Sequence, residues 1–429
     1  TTKVPSYITK NGYTQTKSAR PKVSNLEPNQ KLGIYNVIED SLHWVNFSGL
    51  KHIRKMPSYI SERKIQRNKE TVFKKDRAIF IHQLEFNNFN NKALIDIRSA
   101  DNKDRWIVSL NTTTFKWKEI EHQHDEAWIG GPGISGWNMV NGTIGWISDG
   151  EYCYFQSEES GYSHLYMYDF KNKKKEALTS GNWEIYKVEL STDKRRFYIT
   201  CNKSHPGNRD FYHLDIKTKK LSPILIKNGY HDVSVSPDEK NILVRYSFKN
   251  KPWELYLAKN KTGAILEQIS DYTNYSFKSI KWQEPEVIQI KTSDKDTVYA
   301  RLYTPNANTK NNAAVIFVHG AGYLQNAHNY WSSYFREYMF HNLLLRKGYT
   351  ILDIDFRASK GYGRNHRTAI YRHMGGKDLS DQIDGKRYLI EKQGIDENKI
   401  GIYGGSYGGF ITLMALLKHP GEFACGAAL

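Results

Sequence analysis

Between about residues 31 and 280 the hydrophobic and polar positions alternate with a period of two. Short runs such as HWVNF, EYCYFQS and NILVRYS place aromatic or branched side chains at every second position, and polar turn clusters separate them. Alternation of this kind is typical of strands with one buried face. The pattern therefore predicts a region of short strands and turns with almost no helix.

The turns in this region recur at a regular spacing. Asp149, Asp193 and Asp238 lie in the clusters SDG, STDK and SPDEK, 44 and 45 residues apart, and each precedes two strand patterns. A period near 44 residues with four strands per unit is typical of β-propeller blades. Residues 1–284 are therefore predicted to form part of a β-propeller, with a β-sandwich of coincidental spacing as the alternative.

After about residue 285 the pattern changes. The segment VIQIKTSDKDTVYARLYTP predicts a hairpin, and the apolar runs AAVIFVHG and YTILDIDF predict parallel strands buried on both faces. Helical patterns follow over about 329–347 and 378–393, and then come the strand KIGIYG, the helix YGGFITLMALLKH and the strand FACGAAL. Alternating strands and helices predict a doubly wound α/β domain over residues 285–429.

A candidate nucleophile, Ser406, stands between the strand KIGIYG and the helix that follows it. The stretch GGSYGG matches the G-x-S-x-G elbow, in which a sharp strand-to-helix turn exposes a serine hydroxyl. Gly404 and Gly408 leave room where Cβ atoms would collide. The Tyr407 amide, at the helix N-terminus, is the candidate donor to a developing oxyanion.

Two further loops supply candidate site residues. A second oxyanion donor is expected directly after the first buried strand, where VHGAGYLQ offers His319 and Gly320. His319 as a simple strand cap is the alternative. The loop DFRASKGYGR continues the next strand, and we expect its Arg357 and Tyr362 to brace the site.

The composition of the chain limits the classes of binding partner that we expect. The net charge is +17, but the lysines are scattered, so we read them as solvated loop tips and expect no nucleic-acid partner. No apolar run reaches the length of a membrane span. Cys153, Cys201 and Cys425 lie far apart in the sequence, and apolar residues flank each of them. This pattern predicts buried free thiols.

One short stretch gathers side chains that could bind a metal. EIEHQHDEAW contains His122, His124, Asp125 and Glu126, and alternate histidines on a strand share one face. The family resemblance described below implies instead a blade strand that leads to a tryptophan at this place. We therefore expect no metal and no cofactor.

Three stretches together resemble one known family. SEESGYSHLYMYDF, GGSYGGF and DFRASKGYG are similar to the blade strand, the nucleophile motif and the Asp-x-Arg loop of the prolyl oligopeptidase family, most closely its dipeptidyl-peptidase IV branch. The resemblance implies that Ser406 is the nucleophile, that the Tyr407 amide is an oxyanion donor and that the Tyr407 ring forms a pocket wall. The chain departs from the branch at His319, where a tyrosine is usual, and at Ala358, where glycine is usual.

The rest of a catalytic triad is expected outside this sequence. In α/β-hydrolases the order along the chain is Ser, Asp, His, yet no aspartate follows Ser406, and His419 lies 13 residues along the helix, about 20 Å away. His366 and His373 precede the serine. SARPKV, at residues 18–23, resembles a region downstream of the paired glutamates of the branch. We therefore expect a fragment of a longer enzyme, truncated at both ends and inactive alone.

The leading functional hypothesis is a serine peptidase that cuts short peptides after proline or alanine through an acyl-enzyme, with the propeller as a size filter. The alternatives are an esterase or acylaminoacyl-peptidase on the same fold, or a catalytically inactive binding protein that uses its propeller. Peptides are the expected partners, and the sequence does not decide whether the protein forms a homodimer. The cellular compartment is open too, with export compatible with the resemblance.

Overall fold

The structure is a computed structural model that describes residues 2–19, 29–58, 60, 72–134, 141–148 and 150–429. The described residues form two compact units, one of Thr1–Leu84 with Ile95–Glu126 and the other of Glu85–Leu94 with Ala127–Leu429. The predicted turn at Asp149 and most of SARPKV lie outside the described residues.

The first eight strands form two hairpins, β1–β2 and β3–β4, and one four-stranded sheet in the order β5-β6-β7-β8. Apolar side chains such as Ile95, Ile97 and Trp106 are fully buried in this part of the chain. The strand bounds are β1 Thr2–Ser6, β2 Gln15–Ala19, β3 Leu32–Asn36, β4 Ser41–Val45, β5 Ile79–Phe86, β6 Lys92–Ser99, β7 Asp104–Asn111 and β8 Trp117–His124.

Three more four-stranded antiparallel sheets follow, and each is built from consecutive strands. Their second strands begin at residues 152, 196 and 241, which confirms the repeat predicted from the sequence. The bounds are β9 Ile144–Trp146, β10 Tyr152–Ser157, β11 His164–Asp169, β12 Lys174–Ala177, β13 Ile185–Leu190, β14 Arg196–Cys201, β15 Asp210–Asp215, β16 Leu221–Leu225, β17 Tyr230–Val235, β18 Asn241–Phe248, β19 Lys251–Lys259 and β20 Glu267–Gln268.

The repeated turns use the same hydrogen bonds. Asp193 Oδ1 accepts from the Ser191 hydroxyl at 2.6 Å and from the Arg195 amide at 3.1 Å. Asp238 Oδ1 accepts from the hydroxyl two residues before it and the amide two residues after it at the same two distances. An aspartate whose short side chain bonds to the neighbouring backbone stabilises a turn. This explains why aspartates recur in the sequence at the spacing of the blades.

The last part of the chain forms a six-stranded sheet in the order β21-β22-β24-β23-β25-β26. The strands β23 to β26 pair in parallel, while β21 and β22 form the predicted antiparallel hairpin at one edge. The bounds are β21 Glu286–Lys291, β22 Thr297–Tyr303, β23 Ala314–Val318, β24 Thr350–Asp355, β25 Ile400–Gly404 and β26 Cys425–Ala428.

Helices cover this sheet as a doubly wound fold requires. Leu379 and Leu389 from α4 and Ile411 from α5 are buried against Ile316 and Leu352 in the strands. The helix bounds are α1 Tyr275–Lys278, α2 Phe335–Arg346, α3 Arg364–Thr368, α4 Lys377–Gln393 and α5 Tyr407–Lys418, with one 3-10 turn at Ala307–Thr309. Because β24 and β25 flank β23 on opposite sides, the carboxyl ends of β23 and β25 meet at the switch point where such folds bind ligands.

Two sequence predictions need correction. The helix expected from about residue 329 begins only at Phe335, because the preceding amides bond to the region of the four-stranded sheets. Asn329 donates to the Gly207 carbonyl in the loop between β14 and β15, and Trp331 donates to the Ser247 hydroxyl in β18. Cys153 and Cys201 are buried as expected. Cys425 is instead exposed, since β26 is the outermost strand of its sheet.

Within the described ranges, none of the helices combines the length and apolar character needed to cross a bilayer.

We predict that Ile316→Ala lowers the free energy of unfolding by about 2–5 kcal/mol, since Ile316 is fully buried in β23 and the change leaves a cavity. Leu417→Ala is the control: Leu417 is 76% exposed on α5, so about 0.5 kcal/mol or less is expected. Urea denaturation followed by circular dichroism measures both. Equal losses in the two variants would contradict this account of the core.

Candidate active site

Ser406 lies in the turn between β25 and α5 and is exposed. Its φ of 55° and ψ of −117° form a combination that ordinary residues avoid, and such strain concentrates at functional sites. A Cβ on Gly404 or on Gly408 would collide with the carbonyl oxygen of Val318, at the end of β23. The two glycines therefore let the turn approach β23 closely enough to present the serine.

Tyr407 is the first residue of α5, so its amide has no carbonyl acceptor within its own helix. Its hydroxyl donates to Asp378 Oδ2 at 2.6 Å, and Asp378 also accepts from the amides of Gly375 and Leu379. The ring stacks on Phe356 with centroids 5.9 Å apart. These contacts fix the ring beside the serine, and its role as a pocket wall stays a prediction.

The His319 side chain points into the interior and is fully buried. Its Nδ1 donates to the Gly320 carbonyl at 3.0 Å, so Nε2 accepts from the Ser359 hydroxyl at 2.9 Å, with Asp355 Oδ1 3.6 Å away. Burial lowers the pKa of His319 and the ring stacks on Phe356. The expectation that this imidazole donates to the oxyanion does not fit the geometry, because both ring nitrogens are bonded elsewhere.

The Gly320 amide also has a partner. It donates to the Tyr334 hydroxyl at 2.8 Å. A Cβ built on Gly320 would lie 3.6 Å from Cβ of Ser406 and 3.2 Å from that hydroxyl, so the phenol lies beside the candidate nucleophile. No sequence motif marks Tyr334, because its hydrogen-bond partner lies 14 residues earlier in the chain.

Arg357 and Tyr362 both anchor the loop after β24. The Arg357 guanidinium donates to Asp381 of α4 at 2.6 and 3.0 Å and to Asp294, and its amide also donates to Asp381. The Tyr362 hydroxyl donates to Asp355 Oδ2 at 2.6 Å. Burial raises the pKa of Asp381 to about 6, against the lowering effect of Arg357. These contacts anchor the loop after β24, and the role of the two residues in bracing the site stays a prediction.

Ala358 adopts a φ of 131°, a conformation in which a Cβ is crowded and only glycine is unstrained. This is the position at which the resemblance marks glycine as usual. The residue is almost fully buried among the core side chains of the sheet, so the packing holds it in this conformation.

A buried ion pair joins α3 to the β10–β11 loop. The Arg367 guanidinium donates to both oxygens of Glu158, at 2.5 and 2.8 Å. Glu184, at the edge of β13, is also buried, and burial together with the nearby charge of Glu158 raises its pKa to about 7. No local sequence pattern indicates this ion pair, because its partners lie 209 residues apart.

The candidate metal residues have other partners. His122 Nε2 and His124 Nδ1 both bond to Asp104 Oδ1, at 2.7 and 2.9 Å, and the same carboxylate pairs with Arg77. Among the residues that the structure describes, no group of three or more histidine, cysteine or acidic side chains has the arrangement of a metal site.

None of the described histidines hydrogen-bonds to Ser406. His366 lies in α3, where burial lowers its pKa to about 4, and His419 caps the far end of α5. Among the described residues, the candidate nucleophile therefore lies beside the candidate oxyanion donor Tyr407 without a histidine hydrogen-bonded to it.

We predict that Glu184 makes stability fall as pH rises. Between about pH 4.5 and pH 7, a carboxyl whose pKa is raised in the folded state binds more protons in the folded state than in the unfolded state. The free energy of unfolding therefore falls across this pH range, by at most about 1.4 kcal/mol per pH unit. Glu184→Gln removes this titration. Its stability relative to the unmodified protein should rise between pH 5 and pH 7.

Urea denaturation at several pH values measures this difference. Glu391→Gln, at an exposed position of α4, is the matched control for replacing a carboxylate by an amide. A difference for Glu184→Gln that does not change with pH would show that the carboxyl is not held protonated by burial.

Family comparisons match both parts of the chain. The family model described as "Dipeptidyl peptidase IV (DPP IV) N-terminal region" matches residues 1–253, and the model described as "Prolyl oligopeptidase family" matches residues 336–429. The second match contains Ser406 and its flanking glycines.

Individual relatives of this chain carry dipeptidyl-peptidase names, in agreement with the two family models. Dipeptidyl peptidase 4 of Trichophyton rubrum and that of Trichophyton equinum are each 28% identical to this chain over 314 residues, which cover 68% of the chain and 39% of either relative. The chain thus spans about two fifths of the length of these curated relatives. The crystal structure of Porphyromonas gingivalis dipeptidyl peptidase 4 superposes with a TM-score of 0.75 at 20% identity, over 99% of this chain and 55% of that one. This match shows the fold, a β-propeller followed by the start of an α/β-hydrolase domain.

Proposed function

Because the chain belongs to the prolyl oligopeptidase family, in its dipeptidyl-peptidase IV-like branch, we propose that its full-length parent is a serine peptidase that releases dipeptides from short peptides. Ser406 is the nucleophile. The observation that carries this proposal is its position, exposed and strained at the turn between β25 and α5. Binding a partner through the propeller does not require a strained, exposed serine at this turn.

The reaction proceeds through an acyl-enzyme. The Ser406 oxygen attacks the scissile carbonyl carbon, and the carbonyl π pair moves to oxygen, which the Tyr407 amide stabilises. The C–N bond then breaks, the amine leaves with a proton, and water hydrolyses the ester. The proton passes through a histidine held by an aspartate. We propose that both lie in the remainder of the parent, after the serine, as the Ser–Asp–His order of this fold requires.

The domain boundary is part of this proposal. We place the propeller in residues 1–284 and the hydrolase domain in 285–429. The gap between the end of β20 at Gln268 and the start of β21 at Glu286 supports a boundary in this stretch, which holds only the short helix α1. The propeller would admit short peptides and exclude folded proteins.

Cleavage after proline or alanine is implied by the resemblance to the dipeptidyl-peptidase IV branch. The fixed Tyr407 ring supports it, because its aromatic face suits a small apolar side chain. A dipeptidyl peptidase requires a free amino terminus two residues before the cut. An esterase or an acylaminoacyl-peptidase does not, so blocked substrates separate these activities.

We predict that Ser406→Ala in the full-length parent lowers kcat for a dipeptidyl-proline anilide by at least about 10⁴-fold, because the nucleophile is lost. Ser279→Ala, which removes an exposed serine after α1, is the control and should retain full activity. An N-acetylated copy of the substrate should resist cleavage.

Three outcomes would change the proposal. Activity retained in Ser406→Ala would exclude this serine as the nucleophile. Faster cleavage of acylated or ester substrates than of free dipeptidyl substrates would favour the esterase or acylaminoacyl-peptidase alternative. A parent inactive on all of them would indicate a binding protein that has kept the fold.

A further inference from the structure

Tyr334 lies beside the proposed nucleophile without an assigned role. It directly precedes α2, and its hydroxyl oxygen accepts a hydrogen bond from the Gly320 amide at 2.8 Å. Gly320 follows β23 by two residues, and a Cβ built on it would approach both the Tyr334 hydroxyl and Cβ of Ser406, at 3.2 and 3.6 Å. The phenol therefore reaches the carboxyl end of β23, where an oxyanion site is expected.

The phenol is held in this position from several sides. Its ring packs edge-on against Phe317 of β23, with centroids 5.5 Å apart at 70°. Its amide donates to the Ser332 hydroxyl at 2.9 Å, and Ser332 in turn bonds to Asn326. Its carbonyl accepts from Tyr338 in the first turn of α2. A side chain fixed in this way loses little entropy when it binds a reacting group.

The hydrogen of this hydroxyl is available for donation. A phenol donates one hydrogen bond and accepts others, and here the Gly320 amide supplies one that is accepted. Within the described ranges the Tyr334 hydroxyl donates to no acceptor. Burial raises the pKa of Tyr334, so the group stays protonated at neutral pH.

The two other candidates for a second oxyanion donor are already bonded. Both nitrogens of His319 are committed, to the Gly320 carbonyl and to Ser359. The Gly320 amide points at the phenol oxygen rather than into open space. Any oxyanion that formed near this amide would meet the Tyr334 hydroxyl first.

We propose that the Tyr334 hydroxyl is the second oxyanion donor for Ser406, with the Gly320 amide bonded behind it. The inference rests on the proposed acyl transfer at Ser406 and adds a catalytic residue to it. When the serine oxygen attacks, the carbonyl π pair moves to oxygen and accepts hydrogen bonds from the Tyr334 hydroxyl and the Tyr407 amide. No proton leaves the phenol. When the pair returns, the C–N bond breaks and the amine carries away the proton that the general base took from Ser406.

The arrangement has a physical advantage over a bare amide. The Gly320 amide polarises the phenol, and hydrogen bonds in such a chain strengthen one another in a low-dielectric site. A donor that is fixed before the reaction requires no reorganisation when charge develops. In this arrangement a phenol lies at the oxyanion site, even though His319 occupies the position where the branch usually carries its tyrosine.

The test is Tyr334→Phe in the full-length parent. Loss of one oxyanion donor should lower kcat by roughly 10²–10³-fold while KM changes by less than about threefold, because the contact forms only in the transition state. A peptide aldehyde, which forms a tetrahedral adduct with serine, should lose affinity by a similar factor. The affinity for an uncleaved product peptide should stay the same.

Tyr338→Phe is the matched control. Tyr338 lies one turn along α2, and its hydroxyl donates to the Gln283 carbonyl at 2.9 Å, so this variant also loses one phenol hydrogen bond. Its kcat should stay within about threefold of the unmodified enzyme. Thermal melting of both variants shows whether either change only destabilises the fold.

Several results would overturn the inference. Unchanged or increased kcat in Tyr334→Phe would mean that the phenol only occupies the site and that the Gly320 amide is the true donor. A higher KM with unchanged kcat would assign Tyr334 to substrate binding. Failure of the proposed function is a separate result, since it appears as activity that survives Ser406→Ala, whatever the outcome at Tyr334.

Discussion

The hydrolase part of the structure depends on the close approach of two backbone segments. Val318 ends the central strand β23, and its carbonyl oxygen lies where a Cβ on Gly404 or on Gly408 would be. Only glycine permits this approach. The turn between β25 and α5 therefore lies against β23, and Ser406, at its apex, is exposed in a strained conformation. The strain persists because strands on both sides hold β23 in place.

The groups around the serine are fixed by a second set of contacts. Asp355, at the end of β24, accepts from the Tyr362 hydroxyl and from the amide of Asn326, and it lies near His319. The loops after β23 and β24 are thus tied to one buried carboxylate, which explains why the imidazole faces inward. In the proposed mechanism this orientation leaves the oxyanion site to the Tyr407 amide and the Tyr334 phenol. The chemistry at the site therefore follows from how the buried polar groups are satisfied.

The sequence predicted those features that local pattern determines. The repeat of Asp193 and Asp238 predicted the blades because each carboxylate stabilises its own turn, and the G-x-S-x-G pattern predicted the elbow. Contacts between distant segments could not be predicted. The partners Glu158 and Arg367 lie 209 residues apart, and the direction of the His319 ring depends on Ser359, 40 residues later. The start of α2 was predicted too early for the same reason, since the amides that precede it bond to Gly207 and Ser247, which are distant in the sequence.

The central claim is that Ser406 is a nucleophile that this turn activates, and chemical labelling tests it most directly. The full-length parent is treated with a fluorophosphonate, digested, and analysed by mass spectrometry to locate the adduct, with heat-denatured protein as the control. The account predicts one adduct, on Ser406, in the native protein only. An adduct on another serine, or hydrolysis of peptides without any adduct on Ser406, would contradict it.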